Sequence, residues 1–139
     1  MTIDRSIIKN FIKSFMTKSA RGQWDSKIPV TMLSPYIFRK FIAKQNFNLI
    51  ADCREDFLSQ NTVSFLYHLL SSRDRIEYNK CVIGAYDSII SNIQKYRAGC
   101  FGAKNKKACN EVSNFLMEKY LNKKKDTLLK IIELKKNII

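Results

Sequence analysis

The residues from Arg73 to Arg97 show the apolar spacing that most constrains the fold of this chain. Ile76, Ile83 and Ile90 recur every seven residues, and further apolar residues widen the same stripe. Seven residues are close to two turns of an α-helix, so the isoleucines share one helix face. At about 1.5 Å per residue the helix would be about 36 Å long. We therefore predict a long central helix around which the other elements pack.

The first thirty-three residues predict one helix and one irregular connection. Apolar residues from Ile3 to Ala20 recur at helical spacing, so we expect a helix that ends near Arg21, with Gly22 as a left-handed stop. The segment Gln23–Leu33 predicts an irregular connection or one short strand. The basic first helix favours a core position, while an organelle-targeting or membrane-surface helix stays open.

Capping residues predict where the next helices begin. Ser34 followed by Pro35 is typical of a helix start, because the hydroxyl accepts a backbone N–H bond and proline tolerates the first position. Asp52 with Glu55 resembles a capping box and predicts a separate, short third helix. A further helix leads to Phe65–Leu70.

The second half of the chain predicts three more helices. Ser71 and Asp74 mark the start of the central helix, and Gly99 marks its end. Gly84 within it indicates that another helix approaches closely. After a loop over 98–107, one helix covers 108–120, and Asp126 caps a last one.

The fold class follows from these elements and from the scarcity of turn-forming residues. Only 4 Gly and 2 Pro disfavour a many-stranded sandwich or barrel. We predict an all-α protein, an irregular bundle of about six to seven helices around a long central helix. At 139 residues we expect one helical domain spanning 1–139. The oligomeric state does not follow, and the central helix could equally form the seam of a homodimer.

Charge is the composition feature that departs most from the average. The 25 Lys and Arg residues outnumber the 12 Asp and Glu residues, which gives a net charge of +13. AT-rich codon usage explains plentiful lysine but not scarce acidic residues. We therefore expect an acidic partner, either nucleic acid (DNA or RNA) or an acidic protein.

The positive charge is densest after residue 98, where the chain contains ten lysines and four acidic residues. These lysines suit contact with a phosphate backbone better than the bidentate base reading favoured by Arg. The alternative is a solvated terminal helix. The loop at Gly99–Lys107 lacks the Walker A spacing, and residues 34–70 match a helix-turn-helix only weakly. The predicted nucleic-acid-binding residues are Lys104, Lys106, Lys107, Lys119, Lys123, Lys124, Lys125 and Lys130.

No set of residues predicts catalysis, so we expect no catalytic residues, no metal site and no cofactor. His68 is the only histidine, which excludes most triads and zinc sites. A Cys–His nucleophilic pair would revive an enzymatic function, but no spacing places a cysteine beside His68.

The four cysteines form no CxxC pair, and no signal peptide precedes them. We expect a reduced, cytoplasmic protein, although Cys100 and Cys109 could pair in an oxidising compartment. Lys or Arg interrupts every apolar stretch before it reaches the roughly 20 residues needed to span a bilayer, so we expect no integral membrane association.

Two function hypotheses remain. The first is a non-catalytic nucleic-acid-binding or regulatory protein that contacts the phosphate backbone through its Lys-rich C-terminal region. The second is a helical protein–protein interaction module, for example a host-directed viral or bacterial factor or a subunit of a larger assembly, whose hydrophobic groove receives a partner helix. Steep salt dependence would favour the first, and an exposed apolar patch the second.

Overall fold

The structure is a computed structural model that describes residues 5–58 and 70–138. In these ranges the chain is mostly helical, which confirms the all-α prediction, but the predicted number of six to seven helices is not supported. The four helices found there are α1 (Arg5–Lys13), α2 (Pro35–Leu58), α3 (Ser72–Gly99) and α4 (Lys106–Lys136). A small antiparallel sheet joins β1 (Met16–Lys18) to β2 (Trp24–Ser26).

The central helix is confirmed as α3. The hydroxyl of Ser71 caps it by accepting a hydrogen bond from the backbone N–H of Asp74 at 3.2 Å. Ile76 and Ile90 of the heptad stripe are buried. The helix ends at Gly99 and passes into a 3-10 turn (Cys100–Gly102).

The predicted starts at Asp52 and Asp126 are wrong, because both residues lie inside continuous helices. Ser34 does cap α2, whose first residue is Pro35, but α2 then runs unbroken through Asp52 to Leu58. Likewise, α4 runs unbroken through Asp126. A carboxylate can cap only where the preceding backbone leaves the helix, and the residues before both aspartates stay helical.

The first helix was predicted too long. It ends at Lys13, and the chain then forms β1, which pairs with β2 in the register Met16↔Ser26 and Lys18↔Trp24. Ser14, Thr17 and Ser19 are weak helix formers that favour turns and extended backbone. Gly22 does have a positive φ of 81°, but in the turn between the strands. The helix predicted to lead to Phe65–Leu70 falls almost wholly outside the described residues.

Side chains of α2 and α3, together with one backbone oxygen of β2, fix α2 against α3. The rings of Phe38 and Tyr96 stack with centroids 3.8 Å apart. The amide of Gln45, fully buried, donates to the backbone oxygen of Trp24 at 2.8 Å and accepts from Asn92 at 3.2 Å. Residue numbers rise along α2 as they fall along α3, so the two helices are antiparallel. Because α4 turns back along α3, α2 and α4 run in the same direction.

Two disulfides join these elements, so the expectation of reduced thiols is wrong for this fold. Cys53 of α2 is bonded to Cys81 of α3, with Cα atoms 5.9 Å apart. Cys100 is bonded to Cys109 of α4, with Cα atoms 5.5 Å apart. Antiparallel packing brings Cys53 and Cys81 together, which no spacing along the chain indicates.

The close helix approach predicted at Gly84 occurs at Gly99 instead. A Cβ added to Gly84 would meet no atom within 4 Å, whereas one added to Gly99 would lie 2.5 Å from Cγ2 and 2.8 Å from Cβ of Thr31. The glycine at the end of α3 therefore lets the 3-10 turn at Val30–Met32 pack against it.

These two glycines provide a matched test of the fold. Gly84→Ala should stabilise the protein by up to about 1 kcal/mol, because it adds helix propensity in open space. Gly99→Ala should cost roughly 1–3 kcal/mol, because Thr31 must move. Urea unfolding followed by circular dichroism measures both, and equal stability of the two variants would contradict the packing.

The disulfides predict the redox dependence of stability. Chain-entropy arguments assign about 3–4 kcal/mol to the 28-residue separation and about 2–3 kcal/mol to the 9-residue separation, so Cys53→Ser/Cys81→Ser should destabilise more than Cys100→Ala/Cys109→Ala. Urea unfolding with and without reductant measures each difference. Four titratable thiols in the air-oxidised native protein would show that the pairs do not form.

Candidate anion-binding surfaces

The lysines predicted to bind nucleic acid lie on the surface but not on one face of α4. At about 100° per residue, Lys119, Lys123 and Lys130 fall roughly 60–100° to one side of the buried Tyr120. We call these three the α4 flank. Lys107, Lys125 and Lys136 fall roughly 140–160° to the other side, and we call them the α4 back. Three of the eight predicted residues therefore share one surface.

The remaining predicted lysines are placed elsewhere. The ammonium of Lys124 lies 2.7 Å from the carboxylate of Asp87 on α3, so its charge is already paired. Lys104 and Lys106 lie at the start of α4, where Asn105 caps the helix and Lys106 stands 5.0 Å from the ring of Phe101. Thirteen residues, or about 20 Å of helix, separate Lys106 from Lys119.

The α4 flank is built around a tyrosine pair. Tyr120 is buried against Tyr86 of α3, with ring centroids 6.1 Å apart, and the ammonium groups of Lys119 and Lys123 lie 5.8 and 5.7 Å from its ring. Burial, and to a smaller extent the positive charge of Lys119, lowers the pKa of Lys123. Burial and then Tyr86 raise the pKa of Tyr120 to about 12. The ring thus holds two ammonium groups side by side at the surface.

A second basic surface, which the sequence analysis did not identify, lies between α1 and α2. An open groove of about 480 Å³ runs between the two helices. We call it the α1–α2 groove. Its lining residues are Ile8, Lys9, Ile12, Lys40, Ala43, Lys44 and Phe47.

The positive charge of this groove comes from a basic stretch in the first part of the chain. From Arg5 to Ala51 there are nine basic residues and a single acidic one, Asp25. The three acidic residues of α2 all follow Ala51, so a count over residues 29–60 comes close to neutral. Asp52 lies by the hairpin instead, where its carboxylate accepts from the indole N–H of Trp24 at 3.1 Å and pairs with Lys18 at 3.3 Å. The basic side chains of α1 and of the first half of α2 therefore share one surface that is free of the acidic end of α2.

The described residues contain no arrangement for metal chemistry. In residues 5–58 and 70–138, no group of three or more His, Cys, Asp and Glu side chains could hold a metal ion. All four cysteines are disulfide-bonded, so none offers the thiol that a Cys–His pair needs. His68 lies outside the described residues. Over the same two ranges, no helix is long and apolar enough to cross a membrane.

Comparison with family models, with curated proteins and with solved structures found no match to this chain.

Tyr120, which lies beside Lys119 and Lys123 of the α4 flank, gives a pH test of this geometry. Because the folded pKa of Tyr120 is raised from 10.0 to about 12, the folded state holds the phenolic proton longer than the unfolded state does. Its contribution to the free energy of unfolding is therefore full below pH 10 and lost between about pH 10 and 12. Titration of tyrosinate absorbance should show one group near pH 12 that Tyr120→Phe removes. Loss of a group near pH 10 in that variant, with no change near pH 12, would place Tyr120 in water.

Proposed function

We propose that this chain is a non-catalytic nucleic-acid-binding protein that contacts the phosphate backbone through the α4 flank. The observation that carries the proposal is that three neighbouring lysines of α4 have no carboxylate partner among the described residues. Lys119, Lys123 and Lys130 share one side of α4, and in the described part of the chain none of them forms an ion pair. Ammonium groups without a carboxylate partner on one side of a helix are what a polyanion neutralises, with release of its counterions. Asp126 and Glu133 line the same hollow as Lys130, so the charge excess is largest at Lys119 and Lys123.

The arrangement favours the backbone over the bases as the contact. Lysine offers a point charge on a flexible stem, whereas base reading relies on the planar fork of Arg or on amide side chains. Lys119 and Lys123 lie one helical turn apart, about 6 Å along α4, so both can contact one strand. We therefore expect sequence-independent, salt-sensitive binding.

The cellular compartment of the protein bears on this proposal, because it determines whether the cysteines are oxidised. The sequence predicts a cytoplasmic protein, and that location stays a prediction. The disulfides favour an oxidising compartment instead, because cytosolic thiols are usually kept reduced. Binding should therefore be measured on the oxidised protein.

Salt dependence tests the proposed function. Fluorescence anisotropy of labelled single- and double-stranded oligonucleotides, measured over about 50–300 mM salt, should show a log-linear loss of affinity. In a triple variant carrying Lys119→Ala, Lys123→Ala and Lys130→Ala, the slope should shrink by roughly 2–3, because each phosphate contact contributes about 0.9.

The control is a triple Lys→Ala variant at the α4 back. It removes the same net charge from the opposite side of the same helix, so it should retain the wild-type slope. No binding at the lowest salt, or equal loss in both triple variants, would overturn the proposal.

A further inference from the structure

We propose that the α1–α2 groove binds an acidic amphipathic helix of a partner protein. This proposal does not rest on the nucleic-acid function, because the groove shares no residue with the α4 flank. It is carried by the groove's shape, by the sign of its charge and by the apolar side chains at its edge.

The groove has the form that a partner helix requires. Ile8 and Ile12 are one helical turn apart on α1 and face Ala43 and Phe47, which are one turn apart on α2. Two helices thus supply an apolar floor, and the small side chain of Ala43 leaves room for a side chain from outside. Amphipathic helices insert apolar residues spaced by three, four and seven positions into such grooves.

A large apolar side chain that lines the groove is exposed to water. Phe47 is 64% exposed, and Ala43, one turn before it on α2, is exposed as well. Apolar groups left in water on a concave surface are typical of an interaction site, because a partner removes them from water.

The charges at the groove select an acidic partner. Lys9, Lys40 and Lys44 line it, and within residues 5–58 and 70–138 no acidic residue does. Burial lowers the pKa of Lys44, and the nearby charges of Lys13 and Lys9 lower it further. Carboxylates flanking the apolar face of a partner helix would relieve this repulsion, and complementary charge sets both specificity and association rate.

A helix fits the groove better than the other anionic amphiphiles. A fatty acid or single lipid needs a pocket that encloses most of its surface, and this groove is partly open to solvent. A nucleic acid would use the lysines but leave the exposed apolar side chain of Ala43 and the exposed part of Ile8 in contact with water. An amphipathic helix offers acidic side chains to the lysines of the groove and apolar side chains to its apolar floor.

The test uses a display library of helical 16-residue peptides, randomised at the face positions and selected on the oxidised, full-length protein. We expect enriched peptides to carry Leu, Ile or Phe at positions spaced by three, four and seven, with Asp or Glu beside them. A double variant, Lys9→Glu/Lys40→Glu, should weaken their binding at least tenfold, because it reverses the charge of the rim. Phe47→Ala should weaken it roughly fivefold or more.

Two controls keep this experiment decisive. Lys95→Glu/Lys104→Glu makes the same charge change at exposed sites that do not line the groove, and it should leave peptide affinity within twofold. The triple variant of the α4 flank should likewise bind the peptides normally, which separates this proposal from the nucleic-acid function. Circular dichroism confirms that each variant is folded.

Several outcomes would overturn the proposal. These are failure of the library to enrich acidic amphipathic sequences, or enriched peptides that bind the Lys9→Glu/Lys40→Glu variant as well as wild type. Phosphatidylglycerol vesicles or oligonucleotides that bind at the groove where the peptides do not would assign it to a lipid surface or to nucleic acid instead.

Discussion

The buried amide of Gln45 links the three elements on which both basic surfaces depend. Its hydrogen bonds to the backbone of Trp24 and to Asn92 hold the hairpin, α2 and α3 in one arrangement. A buried amide with partners on both atoms fixes orientation, because any rotation of α2 would leave a polar group unsatisfied in the core. In the observed orientation of α2, Phe38 and Ile42 point into the core, and Lys40 and Phe47 lie at the surface.

The disulfides act at the ends of this arrangement. Cys53–Cys81 joins α2 to α3 near the end of α2, and Cys100–Cys109 closes the connection between α3 and α4. Between them lie the stacked rings of Phe38 and Tyr96. Covalent links therefore flank a packed apolar core, and α2, α3 and α4 are each joined to a neighbour by one of them.

The sequence predicted those parts of the fold that depend on local signals. The heptad stripe of α3 and the caps at Ser34 and Ser71 were confirmed, because a helix start is decided by a few neighbouring residues. The short strand allowed within residues 23–33 corresponds to β2, but β1 and the pairing of the two strands were missed, since three-residue strands show no usable alternation. The breaks at Asp52 and Asp126 were wrong, because a capping residue carries no signal that the preceding helix has ended.

The sequence likewise showed some features of the candidate sites and not others. The lysines of α4 were visible as a charge excess, but the sequence did not show that Lys124 would pair with Asp87 or that Lys125 would lie on the opposite side from Lys123. The α1–α2 groove needed the tertiary structure, since its two walls lie about thirty residues apart along the chain. Pairing of helices, and not composition, decides which charges share a surface.

The most direct test of the account is NMR mapping of an oligothymidylate on the ¹⁵N-labelled, oxidised protein. We predict chemical-shift changes at Lys119, Lys123 and Lys130, with the amides of Lys107 and Lys125 unchanged. Shifts centred on the α4 back, or no shifts at low salt, would contradict the claim that packing of α4 presents one lysine row to a phosphate backbone.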